Sequence, residues 1–119
     1  MKAPPRIFNF FDNLPQSLPE EAVDTILNTG AVRVERIVSR GHRSPAEEWY
    51  DQQSGEIVVL LRGSAALRFE GREGLLVMRP GDCIDIPAHS RHQVAWTDSE
   101  TDTVWLTVHY QPPENAEGA

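Results

Sequence analysis

Lysine is nearly missing from this chain of 119 residues: Lys2 stands beside ten arginines, and 11 basic against 18 acidic side chains leave a net charge of −7. The arginines are scattered rather than clustered, so the basic stripe that displaces counterions from a nucleic-acid backbone does not form. Nucleic acid and an anionic bilayer are therefore excluded as expected partners. Cysteine is equally scarce. Cys83 alone permits no internal disulfide, and no C-x-x-C pair offers a zinc ribbon or redox motif. The longest aliphatic run, Ile57 to Leu61, falls far short of the roughly 18 residues that cross a membrane. Near the start, Pro4, Pro5, Arg6, Asn9 and Asp12 leave no apolar secretory segment, so a cytoplasmic protein is expected. No Gly-rich loop opens a helix, and no Ser/His/Asp or Cys/His arrangement names a nucleophile.

What is present suits one globular domain. Hydrophobic residues make up 39% of the chain and glycine adds eight more positions, enough to build a core. Ser17 three residues before Glu20, Pro19 in the first turn, and apolar Ala22, Val23, Ile26 and Leu27 read as a capping box followed by a short helix ending near Asn28 and Gly30. From Ala31 the period becomes that of strands. Seven are expected, at about Val32 to Val38, Glu56 to Leu61, Ala65 to Glu70, Leu75 to Met78, Cys83 to Ile86, His92 to Thr97 and Thr103 to Tyr110. Turn chemistry separates them, with Pro80-Gly81 suited to a type II turn. The expected organisation is an N-terminal arm and short helix over 1–30, an antiparallel β-barrel over 31–111, and a fraying tail over 112–119. Ile57, Val59 and Leu61 make the second face of their strand apolar, so the arm or a second subunit must cover it, and a homodimer is expected.

Glu56 opens an otherwise apolar strand, where a carboxylate is costly unless it reaches water, is paired, or coordinates a metal. The two-residue strand period places Tyr50 and Gln52 on its side, and a bulge at Gly55 would exchange Gln52 for Asp51. His89 and His92, three residues apart in a turn leading into a strand, could converge on one ion, although ordinary loop histidines share this spacing. His42 and His109 carry weaker signals, and His109 could face either way. Trp96 and Trp105 suit core or interface, Glu47 and Glu48 a solvated loop, and Arg91 a surface ion pair.

Two stretches together resemble the signature motifs of the cupin superfamily. Glu56 followed by six residues and Gly63 is similar to the end of the first motif, and Gly81, Pro87 and His92 stand at the spacing of the second. The likeness runs over roughly residues 8 to 111 and includes a Trp49-Tyr50-Asp51-Gln52 stretch and a last strand reading Val-Trp-Leu-Thr-Val-His-Tyr. It implies an all-β fold, a double-stranded β-helix or jelly-roll barrel, with a ligand cavity inside. The departures are specific: Tyr50 and Gln52 replace the two histidines of the first motif, His89 replaces a glycine of the second, and Trp96 its final asparagine. Of the family's four metal ligands only Glu56 and His92 remain. The resemblance implies that Glu56 and His92, with Gln52 or Asp51 and with His89, would hold a weak divalent transition metal, Zn, Mn, Fe or Ni alike, with Tyr50 as hydrogen-bond donor or acid. A metal-dependent enzyme, a non-catalytic module binding a small polar metabolite, and a structural homodimer without metal all fit such a barrel.

Overall fold

A computed structural model describes residues 3–112. The chain forms eight strands: β1 (Ala22–Asn28), β2 (Val32–Ser39), β3 (Gly55–Arg62), β4 (Ala65–Phe69), β5 (Leu76–Met78), β6 (Cys83–Ile86), β7 (His92–Thr97) and β8 (Thr103–Tyr110). They make two antiparallel sheets, one ordered β1-β2-β8-β3-β6 and one ordered β5-β4-β7. All seven expected strands form within a residue or two of their expected ends. The residues of the expected tail from 113 onward lie outside the described residues. No helix among the described residues is long and apolar enough to cross a membrane.

The expected N-terminal helix is a strand instead. Ala22–Asn28 pairs antiparallel with β2, and its register slips between Thr25 and Leu27, leaving Ile26 without a partner. An extra residue inserted into a period of two spaces apolar positions as Ala22, Val23, Ile26 and Leu27, which imitates a helical repeat. Pairing with an existing edge, together with the β-branched Val23, Thr25 and Ile26, outweighs local helix propensity.

The inner face of the larger sheet can be read row by row across the strands. Ile37, Trp105 and Leu60 share one row, Glu35, Thr107, Val58 and Ile84 the next, and Arg33, His109, Glu56 and Ile86 the third. Each step of two residues along the strands exchanges apolar groups for polar ones. At the apolar end, Val58, Leu60 and Trp105 meet Ala65, Leu67 and Met78 of the smaller sheet in a buried cluster. The indole Nε1 of Trp105 donates to Ser39 Oγ at 3.1 Å, and that hydroxyl donates to Glu21. Gly63 ends β3's turn at φ +88°, and a Cβ there would lie 2.7 Å from the Thr103 backbone, so glycine is required on two counts.

The outer face is covered in part by the arm. Arg36, only 4% exposed, donates from Nε and Nη2 to Asp24 Oδ2 at 3.0 and 2.7 Å and from Nη1 to the carbonyls of Phe10 and Asp12. Its guanidinium also lies 5.5 Å from the Phe8 ring, and that of Arg62 lies 4.2 Å from the Phe11 ring. The half-buried Ile57, Val59 and Leu61 share this side of the sheet.

Candidate functional site

Where the inner rows turn polar, a cavity of about 210 Å³ lies between the two sheets. Its apolar wall includes Ile37, Val58, Leu67, Ile86, Val94 and Trp105, and its polar wall Glu35, Glu56, His92, His109, Thr107 and Arg33, with Tyr50, Gln52 and Glu21 at the side. An apolar cavity with a few convergent polar groups is the usual form of a small-molecule site, and this volume suits a small ligand.

Glu56 is central. It is buried, with Oε1 3.8 Å from His92 Nε2 and Oε2 3.5 Å from His109 Nε2. Burial, and then the negative charge of Glu35, push its pKa up to about 7 against a smaller opposing pull from Arg33. The group is therefore poised between acid and carboxylate near neutrality.

His92 is placed by its strand and by two aromatic rings. Its backbone exchanges hydrogen bonds with Tyr50, and its imidazole lies 5.4 Å from the Tyr50 ring and 5.7 Å from that of Phe69. Nδ1 lies 2.8 Å from the Ser90 carbonyl, an acceptor only, so that nitrogen carries the proton and Nε2 presents a lone pair to the cavity. Burial lowers its pKa, only partly opposed by Ser90. The 3.8 Å to Glu56 exceeds a hydrogen bond and leaves room for a ligand hydroxyl to bridge the two.

His109 and Glu35 complete the row. His109 Nε2 lies 3.5 Å from both Glu35 Oε1 and Glu56 Oε2. Burial and then Arg33 lower its pKa, while Glu35 raises it. Arg33 Nε stands 3.2 Å from Glu35 Oε2, a charge contact without hydrogen-bond alignment. Among the described residues, three buried side-chain polar atoms lack a hydrogen-bond partner: Arg33 Nε, Thr107 Oγ1 and His109 Nδ1. All three residues line this cavity.

The residues singled out from sequence divide into two groups. Tyr50, Gln52, Glu56 and His92 line the cavity together. Asp51 and His89 do not; both are exposed and pair with each other, Nδ1 to Oδ1 at 2.9 Å. The strand period therefore holds without the exchange of Gln52 for Asp51. Arg91 pairs with Glu70 at 2.5 Å, the surface ion pair expected of it. Arg33, Glu35 and Thr107 also line the cavity but carry no sequence signal that points inward, and His109, which the sequence allows to face either way, faces in.

Of the metal donors that the resemblance implied, Gln52, Glu56 and His92 meet in the cavity and Asp51 and His89 do not. Tyr50 and Gln52 stand where the resemblance implied two imidazoles, and burial followed by Glu21 raises the Tyr50 pKa, keeping the phenol neutral and a poor ligand. Asp51 and His89 are occupied with each other outside the cavity. Among the described residues no three of His, Cys, Asp or Glu form a metal-holding group.

Comparison with known proteins follows the same lines. The cupin domain family model matches residues 35–109. No curated protein matches the chain. Among solved structures, a putative mannose-6-phosphate isomerase from Ralstonia eutropha is similar at 42% identity, covering 91% of this chain and 100% of that one, with a TM-score of 0.88. A cupin superfamily protein from Desulfitobacterium hafniense aligns at 13% identity and a TM-score of 0.68, covering 83% of this chain and 84% of that one. A cupin-like protein from Thermotoga maritima aligns at 18% identity and a TM-score of 0.66, covering 76% of this chain and 68% of that one. The last two are alike in fold.

Proposed function

The chain belongs to the cupin domain family, and from that premise we propose that its barrel binds a small hydroxylated metabolite of the aldose type and moves a proton on it. The supporting observation is that the three residues whose buried side-chain polar atoms lack a partner among the described residues, Arg33, Thr107 and His109, all line this cavity. Leaving such atoms unbonded costs about 1–3 kcal/mol each. A ligand rich in hydroxyls would bond to Thr107, His109 and Arg33 together while its carbon skeleton met Ile37, Val58 and Trp105.

Glu56 and His92 would supply the chemistry. A carboxyl group with a pKa of about 7 can take a proton from carbon or oxygen and return it to a neighbouring atom, which is the requirement of hydroxy-carbonyl isomerisation. The neutral His92 Nε2 accepts a hydrogen bond from the substrate hydroxyl. The proton that leaves one atom is restored to the next, so the balance closes with no oxidant, reductant or second substrate. The similarity to the Ralstonia protein, a putative mannose-6-phosphate isomerase, supports a sugar-related role.

Two measurements test this reading. In deuterated buffer with a chelator, mannose should exchange or isomerise with the parent protein and do so at least about 100-fold more slowly with Glu56→Gln. Binding without exchange would reduce the function to capture, and loss of exchange on chelation would overturn the metal-free reading. Thr107→Val should weaken mannose binding several-fold while stabilising the fold by about 1 kcal/mol, because it removes an unbonded buried hydroxyl. A stability loss would mean that Thr107 is bonded within the fold.

A further inference from the structure

Glu21, Glu35 and Glu56 all line the barrel cavity, and they are served unequally. Glu35 has Arg33 Nε at 3.2 Å, and Glu56 has two imidazole nitrogens within 3.8 Å. On the outside of the barrel, Asp24, Asp102 and Glu70 each hold an arginine. The half-buried Glu21 has, among the described residues, one hydrogen bond, from Ser39, and no cation. A carboxylate drawn partly out of water without a counter-ion is costly. Its place in the wall therefore calls for a partner that enters the cavity.

Glu21 is nevertheless held firmly. The hydroxyl that donates to it belongs to the fully buried Ser39, which accepts in turn from Trp105 Nε1 at 3.1 Å. The arm just before it is pinned to the loop that follows β2: Arg40 Nη1 donates to the Gln16 carbonyl at 3.3 Å, and His42 Nε2 donates to that of Leu18 at 3.0 Å. His42 Nδ1 accepts from the Arg40 backbone N–H at 2.9 Å, which leaves the ring proton on Nε2. Ser39 ends β2, whereas Arg33, in whose row Glu56 lies, stands near its start, so Glu21 and Glu56 occupy opposite ends of the cavity. Tyr50 stands between them: after burial, the charges of Glu21 and then Glu56 raise its pKa. Thr107, in the row between the two ends and 2% exposed, offers an Oγ1 with no partner among the described residues, so the space is lined for a polar guest.

We infer that Glu21 is a specificity-determining residue that receives an ammonium group, so that the ligand of the barrel is an amino-substituted aldose with its carbonyl end at Glu56 and its cationic end at Glu21. This rests on the proposed function and narrows its substrate class. A hydroxyl would bond to Glu21 and leave its charge uncompensated, whereas an ammonium brings both the opposite charge and three donors. The face of Tyr50 attracts the same cation. An anionic substituent would meet carboxylates at both ends of the cavity.

The test compares mannose with 6-amino-6-deoxymannose by calorimetry at neutral pH in the presence of a chelator. The parent should bind the amino sugar at least about tenfold more tightly, the effect of one charge-assisted contact. Glu21→Gln should bring the ratio of the two affinities close to one. In the parent itself, 6-acetamido-6-deoxymannose, which keeps the nitrogen and removes its charge, should bind no more tightly than mannose. Equal affinity for mannose and the amino sugar, a preference that survives Glu21→Gln, or an acetamido sugar that binds as tightly as the amine overturns the inference. Stoichiometric binding of manganous ion without chelator, lost in Glu21→Gln, would assign this carboxylate to a metal and overturn it as well. Failure of the proposed function reads differently. A preference for the amine without deuterium exchange keeps the ammonium site and reduces the function to capture. If no sugar binds, methylammonium decides: a shift of the Trp105 Nε1–H resonance in the parent and not in Glu21→Gln keeps the ammonium site and rejects the aldose, and no shift rejects both.

Discussion

Two arginines three residues apart on β2 show what separates a structural charge from a functional one. Arg36 points outward and is buried, yet its donors are met by Asp24, two arm carbonyls and an aromatic face. Arg33 points inward and is half-exposed, with an Nε that has no hydrogen-bond partner among the described residues. The more buried charge is the better satisfied one, since a buried charge must be paired to be tolerated at all. The less satisfied one lines the barrel cavity. Unused hydrogen-bonding capacity, rather than burial or charge as such, marks the side of the strand on which a ligand belongs.

This contrast can be broken by experiment. Arg36→Met should cost the most, about 3–4 kcal/mol in urea unfolding, because it releases the arm and strands polar groups that the guanidinium had satisfied. A loss below about 1 kcal/mol would remove the distinction. Next in size is Glu56→Gln, whose effect depends on pH. Because the folded pKa is raised to about 7, the folded state holds its proton more firmly than the unfolded chain does. The parent's stability from this group is therefore intact below about pH 4 and declines as pH rises to about 7. Glu56→Gln should be neutral at pH 4 and more stable than the parent by about 2–3 kcal/mol at pH 8, read from unfolding curves at both values. A difference independent of pH would show that Glu56 titrates normally. The smallest effect is expected of Arg33→Gln, a stability change within about 0.5 kcal/mol. A large loss would make Arg33 a second structural arginine.

The strands and turns were legible from the residues because their signals are local. Alternation set β2 to β8 within a residue or two, and Pro80-Gly81 marked a turn that Gly81 completes at φ +95°. Two features were hidden for a physical reason. The bulge at Ile26 adds one residue to β1 and so disguises a strand as a helix. On β2, Arg33 and Glu35 alternate with Val32 and Val34, a pattern that ordinarily puts the charges in water and the valines inside. Here the charged positions share the inner rows with Glu56 and Val58, and the outer face carries Arg36, clamped to the arm. Only knowledge of the arm's position reverses that assignment. Glu56 and His92 were legible because their spacing to Gly63 and Gly81 is preserved, whereas His109 and Glu35 meet them only across strands distant in sequence.

The wall of the barrel cavity is not contained within the span that the family model recognises. Glu21 and Arg33 precede residue 35, and His109 is the last residue matched. A fragment cut to those limits would lose β1, the start of β2 and the Arg33 guanidinium, while keeping every motif that identifies the fold. Such a trimmed protein would still be classified correctly and would be a misleading specimen for any ligand screen.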